Sequence, residues 1–148
     1  MIHLKISFLI LFACFVSTAR AQRADAILGK WKAEEKVLTI QIYKQGSEYR
    51  GKIVTYQNRH HPEKNPATQR DIHNPEPALR QRRLIGMDVL TGLYYHAGNK
   101  SWEEGTIYSP GNGKSYSASL RLKQDGKLEV RAYKGISLLG KTMTFVRE

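Results

Sequence analysis

The sequence predicts an all-β fold, a single antiparallel up-and-down β-barrel of about eight strands. Three observations carry this. Apolar and polar residues alternate with period two in short segments, turn residues separate those segments, and no stretch beyond the N-terminal run keeps a helical stripe. Sequential hairpins of this kind bury their sheet edges by closing on themselves.

The first element is an address. Met1-Ile2-His3-Leu4-Lys5 is a short positive start, residues 6–16 are apolar apart from Ser7, and Ala19 and Ala21 are the small residues a signal peptidase reads. The expectation is a signal peptide over 1–21 and a mature domain over 22–148, exported and either periplasmic or secreted. The apolar run is well short of the roughly 20 residues of a membrane span. Leu11-Phe12-Ala13-Cys14 is a partial lipobox, but Phe12 is bulky for its position, so Cys14 reads as one more hydrophobe. Taking 21 residues from 148 leaves 127, and loss of Lys5 and Arg20 lowers the formal charge from +11 to +9. The single cysteine leaves as well, which excludes a disulfide framework or a cysteine zinc site in the mature chain.

Within the mature chain, residues 37–43 place Leu38, Ile40 and Ile42 on one face, and Gln45-Gly46 turns into residues 48–56, where Tyr49, Gly51 and Ile53 share a face. Further strands are expected over 84–95 and 102–109, joined by His96-Ala97-Gly98-Asn99-Lys100. Residues 114–123 alternate Tyr116, Ala118, Leu120 and Leu122 against Ser115, Ser117, Ser119 and Arg121. Gln124-Asp125-Gly126 then leads into Leu128, Val130 and Ala132, and residues 138–147 read as the last strand.

Residues 57–83 break this rhythm as a long Pro/Arg-rich insertion between the second and third strands. They hold four of the five prolines, six of the Lys and Arg residues and three of the five His. Asn74-Pro75-Glu76-Pro77 reads as a fixed turn, because each proline restrains itself and the residue before it. Residues 78–83 read as a helical turn presenting Arg80, Arg82 and Arg83. Arg is suited to gripping carboxylate or phosphate bidentately, so Lys64, Arg70, Arg80, Arg82 and Arg83, with Asn58 and Asn74, form the candidate contact surface. Arg80 with Asp71 reads as an internal pair pinning this arm to the barrel mouth.

Other chemistry is sparse. His60, His61, Glu63 and His73 are the only metal-like cluster, yet adjacent loop His lack ligand spacing, so no metal or other cofactor is expected. Gly113-Lys114-Ser115 leads into a strand, not the helix a phosphate loop needs. Glu103 and Glu104 face opposite sides of a strand and cannot work as a pair. Glu103 reads either as an interior acid or as a partner of Arg131. No catalytic grouping and no nucleic-acid recognition motif is present.

Several motifs together resemble a known family. They are Gly29-Lys30-Trp31, Gly51-Lys52-Ile53-Val54, Asn74-Pro75-Glu76-Pro77-Ala78-Leu79-Arg80 and Leu84-Ile85-Gly86. The later half adds Leu90-Thr91-Gly92-Leu93, residues 102–110, Gly113-Lys114-Ser115-Tyr116 and residues 135–142. This set is similar to the bacterial family DUF2147. Glu104 stands where the family usually has a second glycine, Ser109 where it often has Asp or Asn, and Arg83 where proline is common. The cysteine pair of some members is missing.

The resemblance implies an exported, lipocalin-like barrel with no assigned activity. It also implies that Trp31, behind Gly29, packs at the closed end against a basic residue of the last strand, for which Arg147 is the match. By analogy with that fold, the leading expectation is non-enzymatic binding of a small apolar or amphipathic ligand in the cell envelope. Leu38, Ile40, Ile53, Tyr116, Leu120 and Val130 would line the interior, and Arg80 or Arg82 would hold an acidic head group. The alternative is a protein-protein interaction module with a side-chain-filled barrel, docking an envelope partner through the basic arm.

Overall fold

Alternation along the chain resolves into eight strands in a computed structural model, which describes residues 23–35, 37–57 and 64–148. The expected leader with Cys14, and the loop residues Asn58, His60, His61 and Glu63, lie outside the described residues. The strands are β1 (Gly29–Ala33), β2 (Leu38–Gln45), β3 (Glu48–Tyr56) and β4 (Asp88–His96), followed by β5 (Ser101–Ser109), β6 (Lys114–Leu122), β7 (Leu128–Tyr133) and β8 (Lys141–Arg147). Each pairs antiparallel with the next, and β8 closes on β1 through the Trp31↔Arg147 to Ala33↔Phe145 register.

Three boundaries differ from the sequence reading, the first being that residues 84–87, read as strand, precede β4, which begins at Asp88. Gly29–Ala33 is a strand in its own right, so the insertion joins β3 to β4. Residues 138 and 139, read as the start of the last strand, belong to a 3-10 turn, Ser137–Leu139, and β8 begins only at Lys141.

An up-and-down barrel has two ends. One carries the β2–β3, β4–β5 and β6–β7 hairpins together with residues 23–28, and it is closed by large side chains. Trp31, Tyr49 and Trp102 are among its fully buried residues, with the Tyr49 and Trp102 rings meeting edge-on at 6.3 Å. Burying side chains of this size stabilises by roughly 1.5 to 3 kcal/mol each. Residues 23–28 cross this end as a plug: Trp31 donates its indole N–H to the Ile27 carbonyl at 2.8 Å, and Trp102 donates to that of Ala24 at 3.0 Å. Buried indoles need such partners. Tyr49 donates its hydroxyl to the Asp25 carboxylate, which Lys44 also pairs at 3.0 Å.

The other end carries the β1–β2 connection, the β3–β4 insertion, the β5–β6 hairpin and the β7–β8 connection. It is only partly filled.

Candidate functional site

The open end holds an apolar cavity of about 510 Å³, within the range of about 300 to 1,000 Å³ typical of small-molecule sites. The period-two pattern builds it directly. Leu38 and Ile40 from β2, Ile53 and Tyr56 from β3, and Leu90 from β4 supply one side. Ile107, Tyr116, Val130, Met143 and Phe145 supply the rest from β5 to β8. Five of the six residues read as interior contacts line this space; Leu120 is buried in the core but does not line it.

Polar groups are confined to the rim. Asn112, in the β5–β6 hairpin, donates its amide to the Tyr116 hydroxyl at 3.1 Å. The Lys134 ammonium sits 5.6 Å from the Tyr116 ring centroid. Lys141, the first residue of β8, lines the cavity itself. Burial pushes the Tyr56 phenol pKa up. The arrangement suits a ligand with an apolar body and a polar or anionic end. Six of the basic residues fall within 57–83, and only the glycines at 135 and 140 mark in sequence the connection that carries Lys134 and Lys141.

The arm is built for a different purpose. Asp71 is completely buried and accepts hydrogen bonds from Tyr108 at 2.6 Å and from the Asn74 amide at 2.7 Å. The Arg82 guanidinium completes the cluster, with Nη2 at 2.9 Å from Asp71, and lies over the Tyr108 ring at 5.7 Å. The expected Arg80–Asp71 pair is therefore an Arg82–Asp71 pair. Arg80 instead donates to the Asn74 carbonyl at 2.8 Å, and Arg70 donates to that of Gln81 at 2.6 Å. Tyr108, buried and bonded to a carboxylate, has its pKa pushed up to about 12.

These contacts lock residues 70–84 against the outer wall. Asn74, Arg82 and Tyr108 border a second cleft of about 290 Å³ together with Thr91, Thr106 and Ser115, which alternate with the inward-facing Leu90, Ile107 and Tyr116. The packing is close at Gly113, where φ is +68° and a Cβ would overlap the His73 carbonyl oxygen. Arg80 and Arg82 do not line the cavity, so the expected head-group clamp is not formed by these residues. His73 contributes backbone here, and no group of three His, Cys, Asp or Glu suited to a metal occurs among the described residues.

Glu103 and Arg131 do not meet either. Glu103 accepts from the Ser101 hydroxyl at 2.6 Å and the Asn99 amide at 3.1 Å, and these bonds hold its carboxyl below the usual value. That is the opposite of a raised, acid-catalyst pKa. The adjacent Glu104 explains the departure from the simple in-out pattern: its φ is 67°, and the β5–β6 register shifts between Trp102 and Gly105. Arg131 ties down the β7–β8 connection instead, donating to the Ser137 and Leu138 carbonyls at 2.7 and 3.0 Å and to Thr142 Oγ1 at 2.8 Å.

At the closed end, the Arg147 guanidinium carbon lies 4.2 Å from the Trp31 ring centroid, with Gly29 packed beside it at a φ of +121°. A family model described as "Uncharacterized protein conserved in bacteria (DUF2147)" matches residues 29–147, from this glycine to the arginine that covers the tryptophan. The chain belongs to DUF2147. No curated protein matches the chain in sequence. A solved structure is similar, described as "Protein HP1028 from the human pathogen Helicobacter pylori belongs to the lipocalin family". The likeness covers 82% of each chain at a TM-score of 0.71 and 24% identity. At that identity the likeness speaks for the fold, a lipocalin-like barrel for this DUF2147 member.

Proposed function

We propose that this DUF2147 protein binds a small amphipathic molecule, with its apolar body in the barrel and its anionic end at the rim beside Lys134 and Lys141. One observation supports the reading most: the barrel is sealed at one end by Trp31, Tyr49 and Trp102 yet leaves a cavity of about 510 Å³, lined by apolar side chains, at the other. Empty apolar space is costly in a folded core, since each buried void forfeits packing. A chain that needed only a filled barrel would close this end as tightly as the first.

The rim lysines favour an acid over a neutral lipid, because an anion beside them would keep both its charge pairing and access to water. The action is binding, with no chemical step. It belongs in the cell envelope if the expected leader directs export. Native mass spectrometry of the protein purified from its own host tests this. A reproducible added mass of a few hundred daltons, lost on organic extraction, is the expected result. Bare protein that also fails to take up an added long-chain fatty acid would overturn the reading.

A further inference from the structure

Three of the six large hydrophobic side chains left exposed among the described residues lie within four positions of one another. Ile136 is 60% exposed, Leu138 82% and Leu139 79%. Single exposed hydrophobes are ordinary, but a cluster on one short turn marks an interaction site. The turn lies at the rim of the open end, because Ala132 before it and Lys141 after it both line the cavity.

Three of its backbone carbonyls are already satisfied. Leu139 and Gly140 donate to the Ile136 and Ser137 carbonyls, while Arg131 donates to those of Ser137 and Leu138. Capped carbonyls lower the cost of bringing this turn to an apolar medium, where unpaired backbone polar groups are the main barrier to burying irregular backbone.

Charge identifies the occupant. No acidic residue lies between Glu129 and Glu148, and on the open-end side of this stretch the charged residues are Arg131, Lys134 and Lys141. Lys134 and Lys141 flank the apolar turn on either side. Apolar side chains at the tip with cations beside them fit the headgroup and acyl boundary of an anionic bilayer, where both terms act together. We propose that the β7–β8 turn is a membrane-docking element that seats the open end of the barrel on an anionic phospholipid surface. The proposal goes beyond the ligand reading and does not depend on the cavity being occupied.

Flotation with phosphatidylcholine vesicles, with and without phosphatidylglycerol, tests it. The purified protein is expected to float with the anionic vesicles, to be released by high salt, and to ignore phosphatidylcholine alone. Leu138→Ser with Leu139→Ser keeps every charge and is expected to weaken partition by roughly tenfold or more. Lys134→Gln and Lys141→Gln should each weaken it roughly fivefold. Ile72→Ser removes an apolar residue on the arm that is as exposed as Ile136 and should leave partition unchanged. Matching thermal melts would show that each variant is folded. Failure of the wild type to bind anionic vesicles would overturn the proposal, as would equal binding by the double leucine variant. Self-association abolished by the leucine changes, without vesicle binding, would assign the turn to a second copy of the chain and also overturn it. Fatty-acid uptake in vesicle-free solution is expected to be intact in the leucine variant, which keeps this result separate from the ligand reading.

Discussion

The Arg147 guanidinium lies over the Trp31 ring at 4.2 Å and donates to the carbonyls of Leu28 at 2.9 Å and Ala26 at 2.6 Å. One side chain thus covers the buried indole, holds the segment that plugs the closed end and sits in the strand pair that completes the barrel. Arg147→Ala is expected to cost about 2 to 3 kcal/mol, combining a cation–π contact with two charge-assisted hydrogen bonds. Arg147→Lys should recover less than half of that, because a single ammonium cannot stack and serve both carbonyls. Urea midpoints of the three proteins measure it.

The arm depends on Asp71 in the same way. Arg82→Ala leaves a fully buried carboxylate with only Tyr108 and Asn74, and a destabilisation of about 3 kcal/mol is expected. Fatty-acid affinity should change by less than twofold under folding conditions. A large affinity loss with unchanged stability would return Arg82 to the binding site.

Four of the eight tyrosines should titrate late, Tyr43, Tyr49, Tyr56 and Tyr108, with the largest shifts at Tyr49 and Tyr108. Tyr49 and Tyr108 are both raised from 10.0 to about 12, first by burial and then by hydrogen bonds to Asp25 and Asp71. Because the folded pKa exceeds the unfolded one, their stabilising contribution is complete below pH 10. It is lost as pH rises through about 12, where the folded chain holds protons the unfolded chain has released. Absorbance titration of phenolate in the native protein should show four groups delayed, two of them to about pH 12. Tyr108→Phe should remove one of them.

Glu104 occupies a left-handed conformation, φ 67°, at the position where the family pattern places glycine. Glu104→Gly is expected to stabilise by about 1 kcal/mol relative to Glu104→Ala, since both lose the exposed contact with His96 and only glycine relieves the strain. Thermal melts of the two variants decide the sign.

Much of the barrel was legible because a half-buried strand repeats every two residues. Ala118 and Leu120 of β6 and Leu128 and Val130 of β7 are buried as their alternation implies, and Tyr116 is half-buried at the cavity. β1 was harder to count, since five residues give too short a pattern, and this moved the insertion by one strand. The cavity lining followed from the same alternation, but its polar rim did not. Which arginine meets Asp71 depends on the Arg70↔Arg83 bridge that brings residue 82 opposite residue 71, a tertiary register that composition does not carry. Glu103 was misread because a positive φ at its neighbour re-aims the strand. The turn after β7 was read as strand because its leucines look like core residues; only the structure shows them facing outward.

The proposed role of the barrel's open end is to take an amphipathic acid. Titration with cis-parinaric acid, a fluorescent fatty acid, measures it most directly on wild type and Ala132→Trp, where the new side chain would fill space beside a cavity-lining position. Saturable binding of one molecule per chain is expected, weakened at least roughly tenfold by Ala132→Trp, and roughly fivefold by Lys141→Gln for the acid but not for its methyl ester. Absence of saturable binding by the folded wild type, or equal affinity in Ala132→Trp, would contradict it.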